Sequence, residues 1–468
     1  MFSYPDASRL LGMAPQFPEP SLALRSFSID TRTLKPQDLF IAFKGENSDG
    51  HEFVAAAFEK GASGALIDEK QTGTVMAAVR KANGTLRNIF PVRDPQAAMT
   101  LLAKEYRKTL PVRIAGITGS VGKTTTKEFL YYLLRQKYPV LATSGNLNNH
   151  LGVPIMLSRL EKEHRFCVLE MGASHPGEIG YLADLAKPSA GILTPIGPAH
   201  LEGFGSLENV YETKLELADA LAAGDPLAVP DHNERLLEKL RKRSRKFFTV
   251  GPSVQADYRT GDIQVRNGEV SFTVNGKWRY SFPGQAAFLV LNAGLAIAMA
   301  RSLGVEGEEI PEKWQDVGFA SGRFRETILP NGVHVIDDSY NANPVSFENA
   351  LKAFQTTPVA GKRVVVFADM RELGTDEERF HRELGEKIAV SGIDHALGYG
   401  RLARASVEAI SGSGTSCVAG HFKGAAEVVA VLKEILRPGD TVLFKGSRSM
   451  HVEKVLEGVR EISFFAQK

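Results

Sequence analysis

The chain has 468 residues, which at roughly 150 residues per domain suggests about three domains. Hydrophobic residues make up 43% and charged residues 24%, values that exclude wholesale disorder. A net charge of +2 is too small for a protein that coats nucleic acid, so no nucleic-acid partner is expected. The longest uncharged apolar run, 286–300, falls short of the roughly 20 residues of a membrane-spanning helix and reads as a buried helix. The N-terminal stretch MFSYPDASRLLGMAP lacks a basic start followed by an apolar segment, so no secretory signal is expected. Cys167 and Cys417 fit neither a disulfide framework nor zinc spacing, and a reducing cytoplasm is the simplest compartment.

Residues 24–68 alternate short apolar runs with turns. LFIAF, the loop KGENSDGH, the helix-like EFVAAAFEKGA and then SGALID read as a small α/β unit. A second unit starts near Arg113. RIAGITG is a strand candidate, and a helix from Thr124 carries Phe129, Leu130, Leu133 and Leu134 on one face until Tyr138-Pro139 ends it. FCVLEMG and AGILTPI are further apolar runs followed by polar loops. Strands alternating with helices imply a parallel sheet, which places ligands at the carboxyl ends of its strands. Residues 262–282 instead alternate apolar and polar positions around Asn267-Gly268 and Asn275-Gly276, an antiparallel edge with hairpin turns. Near Gly322 the α/β rhythm restarts, with VHVID, KRVVVFAD, HALGYG and TVLFKG as strand candidates. The expected organisation is an α/β protein of three domains over 1–105, 106–320 and 321–468.

ITGSVGKTTTKE lies between a strand and a helix. Gly119 and Gly122 let the backbone approach a phosphate, with Ser120 and Val121 between them, and the helix N-terminus adds positive potential. Lys123 would reach the terminal phosphates and Thr124 would place its hydroxyl on magnesium, with Thr125 next in the loop. The standard spacing is G-x-x-x-x-G-K-[ST]. Here Ile117 occupies the first glycine's place and the spacing is G-x-x-G-K-T. The alternative is a glycine-rich turn with a solvated lysine. Neither N-K-x-D nor D-x-x-G occurs, which argues against a GTPase switch.

Glu170 ends the strand FCVLE, where a carboxylate beside the phosphate loop suits magnesium; the alternative is a surface carboxylate. His200 follows the next strand, a position that also fits a plain polar surface group. Ser206 can cap a helix reaching about Ala222, with Leu207, Val210, Tyr211, Leu217, Ala218 and Leu221 as its apolar stripe. Lys214 falls in the middle of that stripe. It either snorkels to water or has a chemical task.

Taken together, SIDTR (28–32), GITGSVGKTTTKE (116–128), NLNNHLGVP (146–154), LEMGASHPGEI (169–179), PAHLEGFGS (198–206), DDSYNANP (337–344), ADMRELG (368–374) and KGSRSM (445–450) resemble the Mur ligases, ATP-dependent amide-forming enzymes of peptidoglycan precursor synthesis. NANP and KGSRSM point to the branch that joins D-Ala-D-Ala to UDP-MurNAc-tripeptide. The shortened phosphate loop is also that family's form. The fold it implies has a small N-terminal α/β domain, a central ATPase-like parallel sheet with an antiparallel edge, and a C-terminal Rossmann-like domain.

The resemblance implies the following roles. Ser28, Asp30, Thr31, Arg32, Gly45 and Asp49 would hold the UDP-sugar. Thr124 and Glu170 would hold one magnesium ion, and Glu170, His200 and Lys214 a second, with Lys214 carbamylated by carbon dioxide. Asn148 and Asn149 would line the nucleotide site. Arg323, in SGRF, would reach the phosphates on domain closure. Asp338, Asn341 and Asn343 would meet the nucleotide from the third domain. Lys445 and Ser447 would suit a substrate carboxylate, since KGSRSM precedes a helix. The family's H-N-x-x-N before the adenine appears here as Phe288-Leu289-Val290-Leu291-Asn292, of which only Asn292 matches.

The implied reaction activates the tripeptide's terminal carboxylate with ATP as an acyl phosphate, which the amine of D-Ala-D-Ala then attacks. A monomer with small-molecule substrates is expected. Two alternatives stand beside this reading: another Mur-type or folylpolyglutamate-type ligase, and a non-catalytic phosphate-loop protein that regulates a partner. The second leaves SIDTR and KGSRSM without a purpose.

Overall fold

The computed structural model describes residues 2–13, 23–45, 48–82, 88–284, 286–319 and 321–462. Part of the loop KGENSDGH (46–47) and the end of the second expected domain at 320 lie outside the described residues. Phe2–Ser3 (β1) and Ala23–Leu24 (β2) form a short antiparallel ribbon. Phe27–Ser28 (β3), Leu39–Ile41 (β4), Gly64–Asp68 (β5) and Asn88–Val92 (β6) then make a four-stranded parallel sheet in chain order.

The central sheet contains Arg113–Thr118 (β7), Val140–Ala142 (β8), Phe166–Glu170 (β9), Ala190–Leu193 (β10), Leu227–Pro230 (β11) and Phe248–Gly251 (β12). It continues through Tyr258–Arg266 (β13), Glu269–Val274 (β14) and Trp278–Pro283 (β15). The order is β15-β14-β13-β12-β11-β10-β7-β9-β8. β13, β14 and β15 pair antiparallel, and the neighbouring strand pairs are parallel. The antiparallel edge therefore sits where the hairpin signals place it, and Asn267, Gly268, Asn275 and Gly276 all have positive φ, as tight hairpin turns require.

Because β7 lies between β9 and β10, the chain leaves β7 toward one side of the sheet and returns on the other. The crevice outside these carboxyl ends is a topological switch point. Register fixes what meets there: Ile117 is opposite Glu170, and Thr118 is opposite Leu193.

The third sheet joins Arg325–Ile328 (β16), His334–Asp338 (β17), Arg363–Ala368 (β18), His395–Tyr399 (β19), Val418–Phe422 (β20) and Thr441–Lys445 (β21). Its order is β16-β17-β21-β18-β19-β20, parallel except for β16. The expected three-domain α/β architecture is thus present. The strands β1, β2, β3, β6, β8, β11, β12, β16 and β20 go beyond the strand candidates of the sequence.

The helix after the phosphate loop, Lys123–Arg135, is pinned by aromatic packing. Phe129 contacts Phe282 and Trp314 with ring centroids 4.9 and 5.3 Å apart, and all three are fully buried. Each such ring contributes roughly 1.5–3 kcal/mol by burial. This anchors the loop's helix to the antiparallel edge. The run at 286–300 is a buried helix, Leu289–Ser302, packed against the same helix. No helix of the described residues is long and apolar enough to cross a membrane.

Candidate active site

The phosphate loop turns on two glycines. Gly119 has φ +148°, and a Cβ there would lie 2.1 Å from Thr194 Oγ1. Gly122 has φ +86° and caps the helix, and a Cβ there would lie 2.3 Å from Asn292 Oδ1. Neither position admits a side chain. Lys123 Nζ donates to Gly119 O at 2.8 Å and to Ser120 O at 3.4 Å, so the lysine curls over its own loop. The Ser120 and Val121 amides donate to Pro195 O, and Ser120 Oγ donates to Gly197 O at 2.8 Å, which ties the loop to the segment after β10. Burial pulls the Lys123 ammonium below its ordinary range, Glu170 opposes this and Arg323 reinforces it.

A cleft of about 470 Å³ opens outside these strand ends. Lys123, Thr124, Glu170, Asn148, Asn149 and His200 line it from the central sheet, with Arg323, Asn341 and Asn343 facing them. Asn148 Nδ2 donates to Glu170 Oε1 at 2.8 Å, while Glu170 Oε2 is buried with no hydrogen-bond partner. Thr124 is also buried at the start of its helix. An orphaned carboxylate oxygen and a threonine hydroxyl in a phosphate cleft form a hard oxygen donor set of the kind magnesium takes. Asn149 Oδ1 accepts the Gly152 amide at 2.9 Å and so starts the following helix.

Lys214 lies on the helix Leu207–Ala220, capped by Ser206 as expected and ending two residues early because Leu221 is extended. It is 2% exposed, so it does not snorkel. Its Nζ reaches Ala173 O at 3.4 Å and sits over the Phe204 ring at 5.2 Å, and no carboxylate of the described residues pairs with it. Burial, with repulsion from Lys123, lowers its pKa to about 7. Lys214 does not line the cleft directly, but its acceptor Ala173 does. Among the described residues no three His, Cys, Asp or Glu side chains cluster as a metal site. His200 pairs through Nδ1 with Glu372, and that bond holds the Glu372 carboxyl below its ordinary range.

An adjoining cavity of about 310 Å³ shares Val121, Gly122, Arg323, Tyr340, Asn341 and Ser346 with the cleft. Thr125, Asn292, Asp338 and Lys445 also line it, with His232, Phe288, Leu289 and Leu291. The segment that departs from the H-N-x-x-N pattern therefore does face this cavity, with apolar side chains. Asn292 itself is buried and accepts from Thr126 Oγ1 at 3.2 Å, packed against the phosphate loop.

Arg323 is placed by its neighbours. Tyr340 N donates to Gly322 O at 3.0 Å, and Phe324 N donates to Asp338 Oδ1 at 3.1 Å. Its guanidinium stacks on Tyr340 at 4.3 Å, and its Nε is buried without a partner.

Two third-sheet candidates, Lys445 and Ser447, bond within the protein. Lys445 is opposite Asp338 in the β17–β21 register, is 1% exposed, and pairs with Asp338 Oδ2 at 2.5 Å and Asn341 O at 3.1 Å. It lines the adjoining cavity as half of that ion pair. Burial raises the Asp338 carboxyl, and Lys445 opposes that rise. Ser447 is buried and its Oγ accepts the Arg371 amide at 2.8 Å, so it braces a loop. KGSRSM leads into a short 3-10 turn, Arg448–Met450, before the helix Glu453–Arg460. Asn343 spends its side chain on a capping box with Ser346.

The remaining candidates lie apart, in a cleft of about 520 Å³ on the first sheet, lined by Asp30, Thr31, Arg32 and Gly45 with exposed Phe53. Arg32 grips Asp30 through Nε and Nη2, and this bonding holds the Asp30 carboxyl low. Ser28 and Asp49 support the cleft without lining it. Ser28 Oγ donates to Asp30 O, and Asp49 caps the turn at Gly50–Phe53 and bonds His51. Tyr340 and Glu372 belong to motifs already legible in the sequence, but their individual roles emerge only from these contacts.

A phosphate loop on a central sheet, faced by polar loops of a third sheet and joined to a separate N-terminal cleft, has a direct counterpart among known proteins. The Mur ligase family catalytic domain matches residues 24–107, the Mur ligase middle domain 117–300, and the Mur ligase glutamate ligase domain 322–448. The chain belongs to the Mur ligase family. It is 33% identical over 450 residues to UDP-N-acetylmuramoyl-tripeptide–D-alanyl-D-alanine ligase of Bacillus subtilis, covering 96% of this chain and 95% of that one. The enzyme of the same name from Escherichia coli is 33% identical over 94% of both chains. Among solved structures, MurF from Acinetobacter baumannii superposes with a TM-score of 0.84 at 28% identity over 98% of this chain and 99% of that one. MurF ligase from Thermotoga maritima, solved in complex with ADP, gives 0.77 at 30% identity over 94% and 98%.

Proposed function

We propose that this chain joins D-Ala-D-Ala to UDP-MurNAc-tripeptide at the expense of ATP, releasing ADP and phosphate. The observation that carries the reading is the cleft where Lys123, Thr124 and the unpartnered Glu170 oxygen face Arg323 across two sheets. Full-length similarity to relatives that bear this name supports it. We assign 1–105 to the UDP-sugar, 106–320 to ATP and 321–468 to the incoming dipeptide.

A carboxylate is a poor electrophile, and phosphorylation turns it into an acyl phosphate that an amine can attack. Lys123 holds the transferring phosphoryl group from the loop side and Arg323 from the third domain, both stabilising charge that develops there. No protein nucleophile is required. Closure of the third domain over the cleft would exclude water from the acyl phosphate. Thr124 and Glu170 would hold one magnesium ion, and Glu170, His200 and a carbamylated Lys214 a second. Magnesium would neutralise phosphate charge during transfer. A carbamate on Lys214 would add a second acidic oxygen donor to the His200–Glu170 set.

The test is ADP release with UDP-MurNAc-tripeptide, with and without D-Ala-D-Ala. Dipeptide-dependent release is expected, and a requirement for a different amine would defeat the substrate assignment. Arg32→Ala should raise KM for the UDP substrate on the order of tenfold, as loss of a charged hydrogen bond does. KM for ATP should stay unchanged, because Arg32 lines a cleft separate from the phosphate loop. Equal shifts in both constants would contradict this division.

A further inference from the structure

The loop after β18 is anchored at four successive residues, Asp369 to Glu372. Asp369 Oδ1 accepts the Leu402 and Ala403 amides, each at 2.9 Å. Met370 N donates to His381 Nε2 at 2.9 Å, and Arg371 N donates to Ser447 Oγ at 2.8 Å. Glu372 stands at the tip of this stiff arm. Its carbonyl accepts Glu202 N at 3.1 Å, and its carboxylate accepts from His200 Nδ1. Glu372 has φ +65° and His200 has φ +52°. Both are left-handed residues other than glycine, a strained conformation that persists only where the surroundings over-determine it and that gathers at functional sites. The two strained residues meet each other across the junction of the central and third sheets.

An imidazole that offers one nitrogen to a site is oriented by the acceptor bound to the other. With Nδ1 held by the carboxylate, Nε2 is the nitrogen left to face the cleft that His200 lines beside Lys123, Thr124 and Glu170. We propose that Glu372 is a positioning residue for the ligation reaction, fixing the Nδ1–H tautomer and ring orientation of His200. The third domain carries Glu372, so His200 is set only when that domain's loop touches the central one. The inference rests on the reading of His200 as part of the active site.

Nitrogen-15 NMR of histidine-labelled full-length protein, without metal or nucleotide, reads the tautomer directly, and His200→Gln assigns the signal. Wild type should show His200 as the Nδ1–H form. Glu372→Ala should shift it toward the other tautomer and lower kcat about 10–100-fold, as loss of such a partner does. KM for the UDP substrate should stay within about twofold of wild type, since that cleft is remote. Glu372→Gln keeps an acceptor and should restore most of the tautomer and the rate, which separates positioning from a loss of folding. An unchanged His200 signal in Glu372→Ala, or a changed signal with wild-type kcat, overturns the proposal. An inactive His200→Ala beside a fully active Glu372→Ala overturns it alone. A fully active His200→Ala removes the active-site reading beneath it as well.

Discussion

Lys123→Ala should fold normally and lose ligation. Lys123 opens the helix Lys123–Arg135, and alanine is the best helix former, so the helix start is not weakened by the change. The helix is held by Phe129 and its aromatic partners, not by the lysine. What disappears is the single ammonium curled over the Gly119 and Ser120 carbonyls, poised to move onto a phosphate. Removing one preorganised donor from a transition state typically costs about 10²–10³ in kcat, and a full charge on the transferring phosphoryl group should cost at least that. The measurement pairs ligation rate at saturating substrates with thermal unfolding. A melting temperature near wild type with turnover near wild type would exclude the assigned role.

Lys214→Ala should likewise lose activity, and short carboxylic acids in solution should restore part of it. Lys214 is buried with only a weak carbonyl contact and an aromatic ring beside it. A permanent ammonium is costly in such a place. Burial lowers its pKa to about 7, so a neutral amine able to take up carbon dioxide exists at ordinary pH. A carbamate turns this position from a cation into a hard oxygen donor. Wild-type activity should therefore fall when carbon dioxide is depleted and recover with bicarbonate. It should also fall as pH drops through about 7, because the protonated amine cannot be carbamylated. The stability sign runs the same way: a lysine whose folded pKa is depressed destabilises the fold fully below about 7, and the penalty fades as pH rises toward 10.5. Failure of every small acid to rescue Lys214→Ala, together with indifference of wild type to carbon dioxide, would refute the carbamate.

Much of this molecule is readable from local chemistry. The hairpins at Asn267-Gly268 and Asn275-Gly276 need left-handed residues, and asparagine and glycine supply them. The strand β7, the glycines after it and the apolar face of the following helix are all encoded within about 25 consecutive residues. Glu170 and His200 are legible because parallel strands deliver their carboxyl ends to one side. The strands β16 and β20 escaped because they are half-exposed edges without a clean alternation of buried and exposed positions.

Sequence alone determined the local features: the glycine turn between β7 and its helix, the carboxylate ending β9 and the lysine on the apolar face of the helix Leu207–Ala220. Their periodicity and turn chemistry act over a few residues, and that range suffices to specify them. Only the tertiary structure decided what each one touches. The β17–β21 register sets Lys445 opposite Asp338, 107 residues earlier, and makes the two a buried ion pair. Packing of the helix Leu289–Ser302 on the helix Lys123–Arg135 brings Asn292 onto Gly122, where a Cβ would lie 2.3 Å from its Oδ1. The junction of two sheets brings Glu372 onto His200, 172 residues away. Such pairings depend on strand order, register and domain contact, which arise from burial summed over the whole chain, and no local stretch of sequence carries that information.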